Sequence, residues 1–510
     1  MDQETTSLWL ATTVPPRYEP LRHDLHVDVA IIGGGIAGLT AAVLLKERGR
    51  KVAVLERQHV GGGETGNTTA HITEAVDARY HFLKRNFDLD AAKTMAEASR
   101  AAIERIATNV ERFGIECRFR RVPGYLYTEK RKYVAELKNE AVSAKDAGCD
   151  ARWVTDVPLP FPTRGAVLFE NQAQFHPMSY LSGLAARVPG DGSYIFEQTQ
   201  ATAVTEGEPC VVETPHGRIT ADSVFMATNV PIAGFQTVHT KNAPYRTYAM
   251  AFHMTGPHPD GLFWDTADPY HYTRWQETDQ GDYMIVGGED HKVGHEEDTE
   301  ACFARLQQYT LEQFGAHPLR YRWSGQVIEP HDGVPFIGGH GKLYISTGYA
   351  GQGMTLGTVG GMLVTDLITG VENPWAKLFD PMRIHLRGAT VDYVKQNAEF
   401  PARLLRDRLT SGNVETDDTF DVKSGEGKIV KVGGRKLAVY RDEAGALTAC
   451  STVCTHMKCD VSWNAAEKSW DCPCHGSRFR PDGAVLNGPA KEPLEKVALE
   501  DVAGGERQDQ

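Results

Sequence analysis

Residues 27–56 admit very few folds. Residues 27–32 are a continuous apolar run apart from Asp28, the pattern of a parallel strand buried on both faces, and Gly33-Gly34-Gly35-Ile36-Ala37-Gly38 follows directly. Residues 39–48 then read as a helix rich in Ala and Leu, and 51–55 as a second strand ending on Glu56. Strand, G-x-G-x-x-G, helix and strand, with an acid 18 positions beyond Gly38, make a Rossmann-type βαβ unit for a dinucleotide. Gly33 allows the tight turn, Gly35 lets backbone approach a pyrophosphate, and Gly38 lets the helix lie on the strand. The helix N-terminus faces the diphosphate, and Glu56 accepts from the adenosine ribose. A window scan would flag residues 27–45 as a membrane span, but the glycines at 33, 34, 35 and 38 break it.

The fingerprint serves FAD and NAD alike, and the segments after it decide between them. Residues 61–72, GGGETGNTTAHI, form a Gly/Thr-rich loop of the kind that wraps a diphosphate and lies near a flavin ring. Ala201-Thr202-Ala203-Val204 precedes a hairpin-like stretch, and residues 224–229 are a strand ending in a small-residue turn. Residues 332–338 lead to 344–355, a strand and glycine turn opening a helix whose free N–H groups can stabilise negative charge on a flavin.

Together these segments resemble the D-amino-acid oxidase and glycine oxidase superfamily of FAD oxidoreductases, over about residues 25–385. The resemblance implies an α/β (α+β) fold with FAD-binding parts at about 25–75, 195–235 and 325–385 and a substrate-domain sheet from about 76–194 and 236–324. It places Gly33, Gly35, Ala37, Gly38, Glu56, Arg57, Thr68, Thr69, Ala201, Gly338, Gly353, Met354 and Thr355 at the FAD. Its members oxidise amines or amino acids by hydride transfer to the flavin. Residues 174–177 and 264–274 fall where that family builds its substrate sheet.

One departure concerns the substrate. Glycine-oxidase-like members carry a carboxylate-binding arginine a few residues before the Asp332 position, where this chain reads Val327-Ile328-Glu329. Either another cation serves or the substrate has no carboxylate. Arg274, on a probable strand with Tyr270 and Tyr272, is the best substitute, against its reading as an ordinary strand arginine paired with an acid. Tyr272, Arg274 and His71 are the catalytic candidates; His71 either touches the flavin ring, even covalently, or supports the loop backbone. His291 and His295 have a metal-binding spacing for a helix, but Gly287, Gly288 and Gly294 speak for a turn. Ile103, Ile106, Val110 and Phe113 follow helical spacing and read as core.

Near the other end stand Cys454-Thr455-His456-Met457-Lys458-Cys459 and Cys472-Pro473-Cys474-His475-Gly476-Ser477, with 15 residues between His456 and Cys472. Two Cys-plus-His pairs put two thiolates and two imidazoles on facing loops. That is the ligand set of a 2Fe-2S centre in which two histidines replace two cysteines on one iron. A structural zinc site also takes Cys and His, but it needs neither the close Cys-x-His spacing nor the flanking Cys459 and Cys474.

The stretch resembles Rieske proteins of the disulfide-bearing type found in cytochrome bc complexes. By that resemblance Cys454 and Cys472 hold one iron, His456 and His475 the other, and Cys459 and Cys474 form a disulfide. It also makes Gly488-Pro489 a third loop over the cluster and Ser477 a hydroxyl donor to cluster sulfur. Phe479 stands where high-potential members carry tyrosine, which implies an intermediate potential. Residues 428–432 and 436–440 flank Gly433-Gly434 as a hairpin, so residues 419–505 read as a small all-β Rieske domain. Residues 392–409 read as a polar connecting helix and 410–418 as a linker, within a join at 386–418.

The net charge of -13 argues against nucleic acid or an anionic membrane as partner. The first 19 residues lack a basic segment followed by an apolar run, and Cys117, Cys149, Cys210, Cys302 and Cys450 are scattered like reduced buried cysteines, which points to the cytoplasm. A flavin takes two electrons as a hydride and a Rieske centre handles one. The two on one chain therefore suggest a dehydrogenase relay from a small-molecule substrate through FAD and cluster to an external one-electron carrier. The reverse relay, in which the cluster feeds the flavin for reduction or monooxygenation, and a non-enzymatic electron-transfer or redox-sensing protein are the alternatives.

Overall fold

The computed structural model describes residues 5–315, 317–384, 422–432 and 435–498. The expected connecting helix and linker, and the Gly433-Gly434 turn, lie outside the described residues.

The apolar run near the N-terminus forms the strand Leu25–Ile32. It pairs in parallel with Val52–Leu55 on one side and Gly217–Met226 on the other. Leu343–Thr347 and Phe336–His340 continue the sheet beyond Gly217–Met226, and Tyr194–Phe196 closes the far side. The helix Ile36–Glu47 is buried from Ile36 through Leu45, because the sheet covers one side and the helix Gly353–Ile368 the other. Small residues set that close packing: a Cβ on Gly361 would stand 2.8 Å from the Ala37 carbonyl oxygen. A helix enclosed in this way has no polar face, which explains its continuous apolar sequence.

The second sheet has nine strands, in the order Leu319–Pro330, Asn242–Met254, Gly281–Lys292, His271–Thr278, Leu262–Trp264, Arg120–Tyr127, Ala166–Gln174 and His71–Ile72, with Ala151–Val154 beside Ala166–Gln174. The helix Leu89–Phe113 presents Ile103 and Ile106 to the core, with Val110 and Phe113 packed against it. Strand pairing crosses the expected segment limits. His71–Ile72, inside the 25–75 segment, joins the substrate sheet, and one unbroken strand carries that sheet from Leu319 to Pro330.

The N-terminal helix Leu8–Ala11 inserts Leu8 and Trp9 into the core, and Trp9 Nε1 donates to the Thr68 carbonyl at 2.6 Å. The C-terminal domain has a three-stranded sheet (Gly427–Val432, Arg435–Arg441, Leu447–Ser451) and a four-stranded antiparallel one (Ser462–Asn464, Ser469–Asp471, Arg478–Phe479, Val485–Asn487). Among the described residues, no helix is long and apolar enough to cross a membrane.

The two parts meet on charged groups taken out of water. Glu467 accepts from Arg246, Arg478 and Ser324, and Arg478 also donates through Nε to Asp471 at 3.0 Å. Arg246 belongs to the large sheet and is 1% exposed, so its charge depends on Glu467 across the interface.

Candidate functional site

An elongated cavity of about 300 Å³ runs between the two sheets. Its lining brings together Glu56, Arg57 and Ala201, then Gly33, Gly35, Ala37, Thr68 and Thr69, and, around His71, the residues Trp264, Tyr272, Tyr349, Gly353 and Met354. Gly35 caps the helix Ile36–Glu47 without a side-chain hydrogen bond, so the helix start opens on the cavity. Glu56 takes 2.9 Å hydrogen bonds from the backbone N–H groups of Gly34 and Gln58. The helix Gly353–Ile368 also begins at the cavity with no side-chain cap. A Cβ on Gly38 would lie 2.0 Å from the Gly33 carbonyl oxygen, so that turn tolerates only glycine. Two helix starts on one cavity, the first with Ile36 N–H on the Thr65 hydroxyl at 3.2 Å and an acid close by at Glu56, fit a flavin dinucleotide.

The lining around His71 carries titratable groups. His71 bonds through Nδ1 with the Thr69 hydroxyl at 3.1 Å, its Nε2 is buried without a partner, and burial lowers its pKa to about 3. It is therefore neutral, with Tyr272 edge-on at 5.8 Å and Trp264 at 5.4 Å. Asp77 opens onto the cavity beside Arg79. Asp290 and Glu329, which do not line the cavity, are pushed up to about 7 and about 8, by burial first; Asp77 then raises both, and Asp290 raises Glu329.

The second site lies between two loops of the small domain. Each loop closes on itself in the same way: Lys458 N–H donates to the Cys454 carbonyl at 3.1 Å, and Gly476 N–H to the Cys472 carbonyl at 3.0 Å. Cys454 and Cys472 are 0% and 2% exposed, and the hydrogen bond from the Cys472 thiol draws the Cys454 thiol below its usual range. The His456 and His475 rings stand 5.0 Å apart at right angles. Cys459 and Cys474 are joined in a disulfide, so although their sulfurs lie within 4.8 Å of Cys472 they are spent as ligands. Two thiols and two imidazoles thus converge from facing loops, which fits a 2Fe-2S centre. Ser477 is fully buried, with its hydroxyl on Cys454 and accepting from Ala490 N–H at 3.0 Å.

Comparisons with known proteins match this division. The FAD dependent oxidoreductase family matches residues 28–367, and the Rieske 2Fe-2S domain family matches residues 413–498. The chain is an FAD-dependent oxidoreductase with a Rieske domain. It is 32% identical over 498 residues to the putative Rieske 2Fe-2S iron-sulfur protein YhfW of Bacillus subtilis, covering 96% of this chain and 97% of that one. It is 23% identical to gamma-glutamylputrescine oxidoreductase of Escherichia coli over 72% of this chain and 90% of that protein. Glycine oxidase from Geobacillus kaustophilus shares the fold, with a TM-score of 0.59 at 17% identity over 71% of this chain and 99% of that one. The oxidoreductase part binds FAD and the Rieske domain binds a 2Fe-2S cluster.

Several site expectations fall elsewhere. Arg274 does not line the cavity: its guanidinium donates to the carbonyls of Ala70 and Phe175 and to Gln276, and lies over the Trp9 ring. It is not the substrate's cation. Gly338 faces Pro381 and Leu367, away from the cavity. Thr355 lies behind the wall, accepting from Thr73 N–H at 3.0 Å, and Gly38 serves the turn. His291 is on the strand Gly281–Lys292, bonded to the Tyr248 hydroxyl at 2.9 Å, and His295 is in the turn beyond, so they share no helix.

Sequence reasoning passed over Asp77, Gln326, His239 and Lys491. The ring of His239, on the short helix Gln236–His239, stands 5.1 Å from that of His456 and 5.8 Å from that of His475. Gln326 lines the cavity and donates to the Gly476 carbonyl at 2.7 Å. These contacts come from domain docking, which leaves no local signature.

Proposed function

We propose that the protein is a dehydrogenase for an amine, amino acid or related small molecule, and that electrons leave through the Rieske centre of the same chain to an external one-electron carrier. The observation that carries this reading is Gln326, a cavity-wall side chain hydrogen-bonded at 2.7 Å to the carbonyl of Gly476, the residue after His475. One side chain spans from the flavin cavity to a cluster loop. A Cβ on Gly476 would meet Gln326 Nε2 at 2.3 Å and Pro244 at 2.8 Å, so the loop is seated as closely as backbone allows.

When bound, FAD accepts a hydride and releases electrons singly, while the cluster takes one at a time. We assign Cys454 and Cys472 to one iron and His456 and His475 to the other; Ser477 hydrogen-bonds at the sulfur side. Glu56 and the start of the helix Ile36–Glu47 take the ribose and diphosphate. Around His71, which stays neutral, Nε2 is free to hydrogen-bond a substrate, and Trp264, Tyr270 and Tyr272 shape the room for it. With Arg274 turned away, the charged groups on that wall are Asp77 and Arg79, one of each sign.

An anaerobic reductive titration tests the direction, with flavin followed by absorbance and cluster by electron paramagnetic resonance. The reading expects the cluster to fill first. A flavin that fills first would reverse the relay, so that the cluster feeds the flavin for reduction or monooxygenation.

A further inference from the structure

We propose that residues 486–491 of the Rieske domain are part of the FAD site, closing its adenosine end, so that full FAD affinity exists only while the cluster domain is docked. Asn487, Gly488, Ala490 and Lys491 line the same cavity as Glu56 and Gly35. The segment is fixed there by bonds to that cavity's own walls. Asn487 Nδ2 donates to Glu64 Oε1 at 2.9 Å, Gln200 Nε2 donates to the Lys491 carbonyl at 3.1 Å, and Arg57 donates to the Leu486 carbonyl. The other Glu64 oxygen accepts from Gln326 N–H at 2.5 Å, so one buried carboxylate joins the two domains at the cavity rim.

Lys491 carries the binding argument. It lines the cavity, its carbonyl is held by Gln200 next to Ala201, and among the described residues its ammonium has no ion-pair partner, although its charge also reaches the His456 ring. Arg57, the neighbouring cation, is engaged by the Leu486 carbonyl. The FAD diphosphate carries two negative charges, and Lys491 supplies a positive one from the other domain. The opposite face of the same segment is fixed to the cluster loops, through Ala490 N–H on the Ser477 hydroxyl at 3.0 Å and the Thr455 hydroxyl on the Glu492 carbonyl at 2.7 Å. One short stretch of backbone therefore belongs to both cofactor sites. Binding FAD and docking the domain must then strengthen one another to the same degree. None of this depends on the direction of electron flow.

The test is FAD release on dilution of the full-length holoenzyme, read by the fluorescence of freed FAD, with cluster content checked by electron paramagnetic resonance. Losing a charge-assisted contact should weaken FAD binding roughly tenfold or more in Lys491→Met, and Lys491→Arg should stay within about threefold of wild type. Lys468→Met, which removes an exposed lysine paired with Glu443, should change nothing. Wild-type affinity in Lys491→Met with the cluster intact would overturn the proposal. Should that variant lose its cluster, hydrogen exchange on wild-type protein decides: FAD should protect the amides of residues 486–491, and unchanged exchange there would refute the closure.

Discussion

The two cofactor sites of this chain are assembled in opposite ways. The four proposed cluster ligands come from one 22-residue stretch, on two loops that each close on their own backbone and are tied by the Cys459–Cys474 disulfide. The flavin cavity draws on residues from Ile32 to Lys491, on both large sheets and on the second domain. A site made locally should fail locally, whereas a site made by docking should fail wherever the docking does.

The sharpest break is at the cluster. Cys472→Ser should abolish the Rieske paramagnetic signal while flavin absorbance stays near one per chain, because the cavity-lining residues Gln326 and Ala490 hold the cluster loop through the Gly476 carbonyl and the Ser477 hydroxyl and not through that sulfur. Loss of both cofactors together would contradict the local character of the site. Next in size is the interface. Glu467→Ala leaves Arg246 and Arg478 buried without their shared acceptor, at a cost of roughly 3–5 kcal/mol. Calorimetry should show a lower melting temperature and two separated transitions in place of one; an unchanged single transition would mean that the domains do not depend on this contact.

A smaller effect belongs to the two buried acids on which Asp77 acts. Asp290 and Glu329 hold their protons to about pH 7 and 8, well above the usual carboxyl range near 4. Their folded-state pKa is raised, so the stability they contribute is complete below about pH 4 and is lost as pH rises through 7 to 8. Glu329→Gln should therefore lose less melting temperature than wild type between pH 5 and 8.5, and parallel curves would sink the assignment. The smallest effect is on potential. Phe479 is fully buried with Cys454 and Cys472, and Phe479→Tyr adds a hydroxyl there. One hydrogen bond of about 1 kcal/mol should raise the cluster midpoint by roughly 20–60 mV in a redox titration.

The same contrast governs how much could be read from residues alone. The cluster ligands were legible because their spacing is itself the site, and the βαβ unit because its glycines and Glu56 act within one turn and two strands. Arg274 was misjudged for a physical reason. Alternation puts it on the same strand face as Tyr272, but Trp9, Ala70 and Phe175 cover that face one residue pair further on, and no periodicity reports a helix arriving from residues 8–11. Gly338 was assigned by resemblance to the cavity and instead packs on Pro381. Gln326, His239 and Lys491 carry no motif, because each matters only through the surface that the other domain brings to it.

The central claim is that the relay runs inside one chain, across the wall that Gln326 and residues 486–491 share. Its most direct test is rapid anaerobic mixing with a reductant of the flavin, following cluster reduction over a hundredfold range of protein concentration. The account predicts a first-order rate that does not change with concentration. A rate that rises in proportion to protein would show transfer between molecules and contradict it.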